Sequence, residues 1–166
     1  MSLDALRAGV DWKFETFPEF LNVLEEKGVG PNVAAFIGHS SVRTWVLGEA
    51  ASKRAATAVE VDEMRRIVLE GLGAGAVGFS TTTSYQHNGE NGIPMPSRLA
   101  DQHEMETLVG TLNEAKRGVF MLTKASDTKM SFLESLGQAA QRPMLVAAIL
   151  HNPLVPDEVF DDMRGI

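Results

Sequence analysis

Apolar residues in this chain fall into short blocks of two kinds, and the two kinds alternate. In the first kind they recur three and four positions apart: Phe17, Phe20, Leu21 and Leu24; Met64, Ile67, Val68 and Leu72; Met105, Leu108, Val109 and Leu112; Phe132, Leu133 and Leu136. That period predicts helices with one buried face. In the second kind they run almost unbroken, over 32–37, 76–80, 118–123 and 143–150. Such runs predict strands that are apolar on both faces, as in a parallel sheet covered by helices. Capping signals separate the blocks. Thr16-Phe17-Pro18-Glu19 and Thr57-Ala58-Val59-Glu60 have capping-box spacing, Asp101-Gln102-His103-Glu104 starts a further helix, and Gly28 and Gly73-Ala74-Gly75 supply stops.

The predicted order is α-β-α-β-α-β-α-β-α, the last helix being opened by Pro156-Asp157-Glu158 and barely begun. Strict alternation argues an α/β fold with parallel strands and right-handed crossovers. Four strands are half of what a closed (β/α)₈ TIM-type barrel needs, and such a barrel typically takes ~250 residues. Two architectures therefore stay open: a small doubly wound sheet, or part of a barrel built from about four βα units. One domain over residues 1–166 is expected, with 1–12 as an N-terminal lead that includes remnants of cloning. The abrupt end inside a new helix leads us to expect a piece of something longer.

Composition narrows the partners. Hydrophobic residues are 44% and charged residues 22%, a balance that allows a sizeable core. A net charge of −7, with no Lys/Arg cluster wider than one helix face, argues against a nucleic-acid partner. No apolar run reaches the length of about 18 residues that spans a bilayer, so no membrane partner is expected. The absence of cysteine excludes thiolate metal sites and fits a cytoplasmic protein.

Chemistry-bearing residues gather where the apolar runs end. Val33 to Ile37 leads into Gly38, His39, Ser40, Ser41 and Arg43, read here as a strand opening into a loop. His39 at such a mouth suits a ligand, an acid/base group or a hydrogen-bond donor, or simply a histidine bonded to neighbouring loops. Arg43 could clamp a carboxylate or cap a turn. Ser80, Thr81, Thr82, Thr83, Ser84, Tyr85, Gln86 and His87 are a run of hydrogen-bonding side chains that leads from the second strand into a long polar loop, Thr81 to Ser97, the kind of loop that is more often functional than accidental. Lys124 follows the third strand and His151 the fourth, as a base or a ligand respectively. Gly73-Ala74-Gly75-Ala76-Val77-Gly78 spells G-x-G-x-x-G, but it ends a helix and enters a strand, the reverse of the context that a dinucleotide needs, so it reads as a helix stop.

Three phrases in order carry a resemblance. NVAAFIGHSSVR (32–43), EVDEMRRIVLEGLGAGAVGFSTTTSY (60–85) and HNGENGIPMPSRLADQHEMETLV (87–109) resemble the N-acyl-D-amino-acid deacylases, or D-aminoacylases, of the amidohydrolase superfamily. The resemblance runs from about Trp12 to His151. It implies a (β/α)₈ barrel whose zinc activates a water that cleaves the amide of a small-molecule N-acyl-D-amino acid. It further implies His39 as a catalytic residue, and Arg43, Ser80, Tyr85, His87 and Lys124 as substrate contacts. His151 is the remaining candidate metal ligand. Where the family's T-H-x-R and I-S-H-x-K strands carry histidines, this chain carries Thr123 and Ala148. The isolated chain is therefore expected to be inactive. A four-strand half-barrel would leave edges and an inner face uncovered, and self-association is expected. The rival expectation is a non-enzymatic α/β binding or assembly module that lacks the metal ligands.

Overall fold

The computed structural model describes residues 3–147, 154–155 and 157–164. Its order is α1 (Leu3–Gly9), α2 (Phe17–Lys27), β1 (Phe36–Gly38), α3 (His39–Leu47), α4 (Ala58–Ala74), β2 (Gly78–Thr82), α5 (Gln102–Glu114), β3 (Val119–Thr123), α6 (Met130–Ala140), β4 (Met144–Ala147) and α7 (Glu158–Arg164). Short 3₁₀ turns lie at Gly48–Ser52, Glu90–Gly92 and Pro96–Leu99.

Both expected capping boxes form. Thr16 and Thr57 each accept from the backbone N–H of Glu19 and Glu60, whose carboxylates accept in turn from the threonine N–H groups at 2.9 and 2.7 Å. Asp101 caps α5 by accepting from Glu104 N–H at 2.8 Å. The α4 stripe ends as read: Gly75 turns the chain at φ +122°, and the Ala76 N–H returns to the Gly71 carbonyl at 3.0 Å. The letters of a dinucleotide motif thus serve to end a helix.

All four strands are parallel and lie side by side in the order in which the chain makes them, β1-β2-β3-β4. A doubly wound sheet reverses its strand order at a switch point, and no reversal occurs here. Of the two architectures left open by the sequence, this is the one of consecutive βα units of a barrel.

Register assigns the faces. Ile37, Phe79 and Phe120 align with Met144, and Thr81 and Leu122 with Val146. This side is packed under the helices, with Val61, Met64, Val68, Leu72, Leu108, Leu112, Leu133 and Leu136 forming one core with it. The alternate residues face the other way: Ser80, Met121 and Leu145 in one row, Thr82, Thr123 and Ala147 in the next. That inner face is only half covered, and Leu145 stands 53% exposed.

Three expectations need correction. The polar residues after Gly38 form no loop: His39 is the first residue of α3, and Gly38 is its extended N-cap. Burial of Val42 and Leu47 and the hydrogen bond from the Thr44 hydroxyl to the Ser40 carbonyl (2.8 Å) favour the helix. The first strand is short because Val33 and Ala34 stay exposed, and only the Ala35 carbonyl joins the sheet, accepting from Val77 N–H at 2.9 Å. The loop expected from Thr81 begins two residues later. Its far half is fastened to α3, where the Ser40 hydroxyl donates to Ser97 Oγ at 3.0 Å and the Ser97 hydroxyl donates to the Thr82 carbonyl at 3.2 Å.

Candidate functional site

The β1–α3 junction carries the densest polar cluster in the core. His39 is 1% exposed, and both of its ring nitrogens are engaged. Nε2 lies 2.7 Å from Glu104 Oε1 on α5, and Nδ1 lies 2.8 Å from Thr81 Oγ1 on β2. Burial, reinforced by the charge on Arg43, lowers the His39 pKa despite the opposing pull of Glu104, so the ring is neutral. A carboxylate can only accept, so Nε2 bears the proton and the Thr81 hydroxyl donates to Nδ1.

Arg43, one turn further along α3, is fully buried. It donates to Glu104 Oε2, to the Arg54 carbonyl at 2.7 Å and to the Ala51 carbonyl at 3.3 Å. Burial pushes the Glu104 carboxyl up, but hydrogen bonds from His39 and Arg43 outweigh it and hold the group below the usual carboxylate range. One carboxylate thus receives two donors from one helix, and the cluster ties α3, α5, β2 and the 51–54 segment together. It lies on the helix-covered side of the sheet, packed on Phe79 at 5.4 Å between ring centroids.

A second cluster lies at the carboxyl ends of β2 and β3, where (β/α) sheets present their chemistry. Here a groove of about 400 Å³ is lined by Thr83, Tyr85, Arg98, Asp127, Lys129 and Phe132, among others. The Tyr85 hydroxyl donates to Asp127 Oδ2 at 2.6 Å, which raises the phenol pKa above its ordinary value. The Arg98 guanidinium lies 5.2 Å from the Tyr85 ring centroid and donates to the carbonyls of Tyr85 and His87 and to Asn88 Oδ1. Thr83 and Thr128 hydroxyls lie 2.8 Å apart and both accept from Ala125 N–H, which fixes the groove floor. The arrangement offers two cations, Arg98 and Lys129, the Asp127 carboxylate held by Tyr85, and two aromatic rings, Tyr85 and Phe132, a surface for a small amphiphile.

The structure therefore separates the residues singled out from the sequence. His39 and Arg43 belong to the buried cluster, whereas Tyr85 belongs to the groove. Ser80 is half-buried, and its hydroxyl donates to the Ile37 carbonyl at 3.4 Å. His87 is exposed on the loop. Lys124 is 8% exposed, immediately after β3. His151 lies outside the described residues.

Glu104 and Asp127 were not picked out from the sequence. Glu104 reads as an ordinary first-turn acid, although Glu104, Leu108 and Leu112 share one face and so carried the signal. Nothing local marks Asp127.

Among the described residues, no three His, Cys, Asp or Glu gather to hold a metal ion. His39 has no nitrogen to spare, and Thr123, which offers no imidazole, ends β3 on the inner face. The described residues do not fit a zinc centre.

No family model matches the chain. Over 83 residues it is 36% identical to a D-aminoacylase of Alcaligenes xylosoxydans xylosoxydans, covering 50% of this chain and 17% of that protein. It is 39% identical over 83 residues to an N-acyl-D-aspartate deacylase of the same organism, of which it covers 16%. The chain thus spans about a sixth of the length of these relatives. Among solved structures, a D-aminoacylase described as defining a novel subset of amidohydrolases superposes with a TM-score of 0.68 at 25% identity, over 87% of this chain and 29% of that one. The N-acyl-D-glutamate deacylase of Bordetella bronchiseptica, solved with zinc and a phosphonate inhibitor, gives 0.62 at 24% identity over 79% and 26%. In sequence and in fold, this chain is related to a segment of the D-aminoacylases, the N-acyl-D-amino-acid deacylases among the amidohydrolases.

Proposed function

We propose that this chain is one wall of a D-aminoacylase-like amidohydrolase whose whole protein hydrolyses the amide of N-acyl-D-amino acids. The groove at the carboxyl ends of β2 and β3 carries this reading, because it faces the side where a (β/α) sheet holds its substrate. Arg98 and Lys129 would receive the carboxylate of the N-acyl-amino acid, and the Tyr85 and Phe132 rings its apolar part. Ser80, His87 and Lys124, which do not line the groove itself, are proposed as further substrate contacts in the whole protein. His39 and Arg43 serve it from behind, by fixing α3 and α5 against β2.

Activation of the hydrolytic water would fall to groups other than the described residues. The chain alone therefore binds but does not turn over. Titration of the labelled chain with an N-acetyl-D-amino acid should perturb resonances of Tyr85 and Asp127 without releasing acetate. Absence of any perturbation at those residues would count against the groove. Deacylation by the chain alone would transfer the catalytic machinery to this polypeptide.

A second reading, a non-enzymatic binding or assembly module, is favoured by the lack of a metal cluster among the described residues. Ligand binding that ignores substitution of Tyr85 would support it. Under either reading the isolated chain self-associates, because among the described residues β1 and β4 each leave one edge unpaired and Leu145 stands exposed between half-covered neighbours. Sedimentation as a clean monomer that binds no hydrophobic dye would refute this. Among the described residues, no helix is long and apolar enough to cross a membrane. The cysteine-free sequence suits a cytoplasmic setting.

A further inference from the structure

The loop beside the groove contains the same dipeptide twice, Asn88-Gly89 and Asn91-Gly92, in different surroundings. A small antiparallel turn holds the region: Asn88 bridges Pro94, and the Gly89 N–H donates to the Ile93 carbonyl at 2.7 Å. The Asn88 side chain is gripped at both ends. Its Nδ2 donates to the Tyr85 carbonyl at 3.1 Å, and its Oδ1 accepts from Arg98. Asn91 stands at the exposed tip in the left-handed region, φ 56° and ψ 25°, followed by Gly92 at φ 76°. Among the described residues, its side chain has no hydrogen-bond partner.

From this contrast we infer that Asn91 is a site of spontaneous deamidation and that Asn88 is spared. The Gly92 amide nitrogen, having given its proton to solvent base, attacks the side-chain carbonyl carbon of Asn91. The bond from that carbon to the side-chain nitrogen breaks, and ammonia leaves. A five-membered succinimide remains, and water opens it at either carbonyl to give aspartate or isoaspartate. Glycine has no Cβ to obstruct the approach, and its wide conformational range lets the nitrogen reach the carbon. At Asn88 the same attack would first have to break the bonds to Tyr85, Arg98 and Ile93. The product adds one negative charge to the tip of the loop whose base shapes the groove, and isoaspartate also lengthens the backbone there.

The test is peptide mass spectrometry of the folded chain held in mildly alkaline buffer, beside a sample held in urea. In urea the two pairs should convert at similar rates. In the folded chain Asn91 should convert several-fold faster than Asn88, and Asn91→Gln should abolish the acidic species on isoelectric focusing. Arg98→Ala should raise the Asn88 rate toward that of Asn91. Equal conversion of the two pairs in the folded chain, or protection of Asn91 relative to urea as deep as that of Asn88, would overturn the inference.

Discussion

Glu104 and His39 stand 65 residues apart in the chain and 2.7 Å apart in the core. With Arg43 on its second oxygen, Glu104 is shared by two side chains of one helix, and all three groups are at most 1% exposed. Removing one member of such a buried set leaves another uncompensated. Glu104→Ala should therefore cost about 3–5 kcal/mol, read as a shift in the urea midpoint, and Glu104→Gln somewhat less. A loss below about 1 kcal/mol, the worth of an exposed pair, would show that the cluster contributes little.

The same cluster sets an acid limit. Burial lowers the His39 pKa from 6.5, so below that value the unfolded chain takes up a proton that the folded chain resists. Stability should be fully present above about pH 6.5 and fall as the pH drops through that range. A second decline should follow below about pH 4.5, where Glu104 is protonated in the unfolded state before it is in the folded one. In His39→Gln the upper decline should vanish and the lower one remain. Thermal melts across this range separate the two, and an unchanged upper slope in the variant would refute the assignment.

Three glycines between 71 and 78 should give three different answers to alanine. At Gly78 a Cβ would lie 1.8 Å from the Val119 carbonyl oxygen, a backbone clash across β2 and β3. Gly78→Ala should reach or exceed the upper end of the roughly 1–3 kcal/mol that overpacking costs. At Gly71 the nearest atom, at 2.4 Å, is the tip of the Ile37 side chain, which can turn aside, so that variant should be milder. Gly73 meets nothing within 4 Å inside α4, and Gly73→Ala should gain about 0.5–1 kcal/mol. Denaturant titration of the three variants tests the order.

Elemental analysis of the chain, stripped by chelator and reloaded with zinc, should find well under one tightly held ion per chain. Stoichiometric zinc would require ligands drawn from beyond the described residues, with His151 the first to replace.

The layered order was legible in the sequence because its signals are local. Capping boxes at Thr16 and Thr57 and the stop at Gly75 each depend on a few neighbouring residues and appear where they were read, and each apolar run marks a strand, although the first strand begins only at Phe36. Helix α3 was missed because Gly38 followed by small polar residues resembles a loop. Only the burial of Val42, Arg43 and Leu47 against other elements makes it helical. The same reason hid the partners of His39. Thr81 and Glu104 are chosen by the sheet register and by the docking of α5, neither of which a local window can carry.

That cluster also implies an order of assembly. Its bonds close chain loops of 42 and 65 residues, which must be drawn in before any contact rewards them. Helices with good caps can form early, whereas the histidine, the threonine and the glutamate meet only once β1, β2 and α5 have come together. Until then the arginine and the glutamate are hydrated and cost nothing. A variant that breaks the cluster should therefore unfold faster while folding at nearly the original rate, which makes the buried carboxylate a lock on the finished fold.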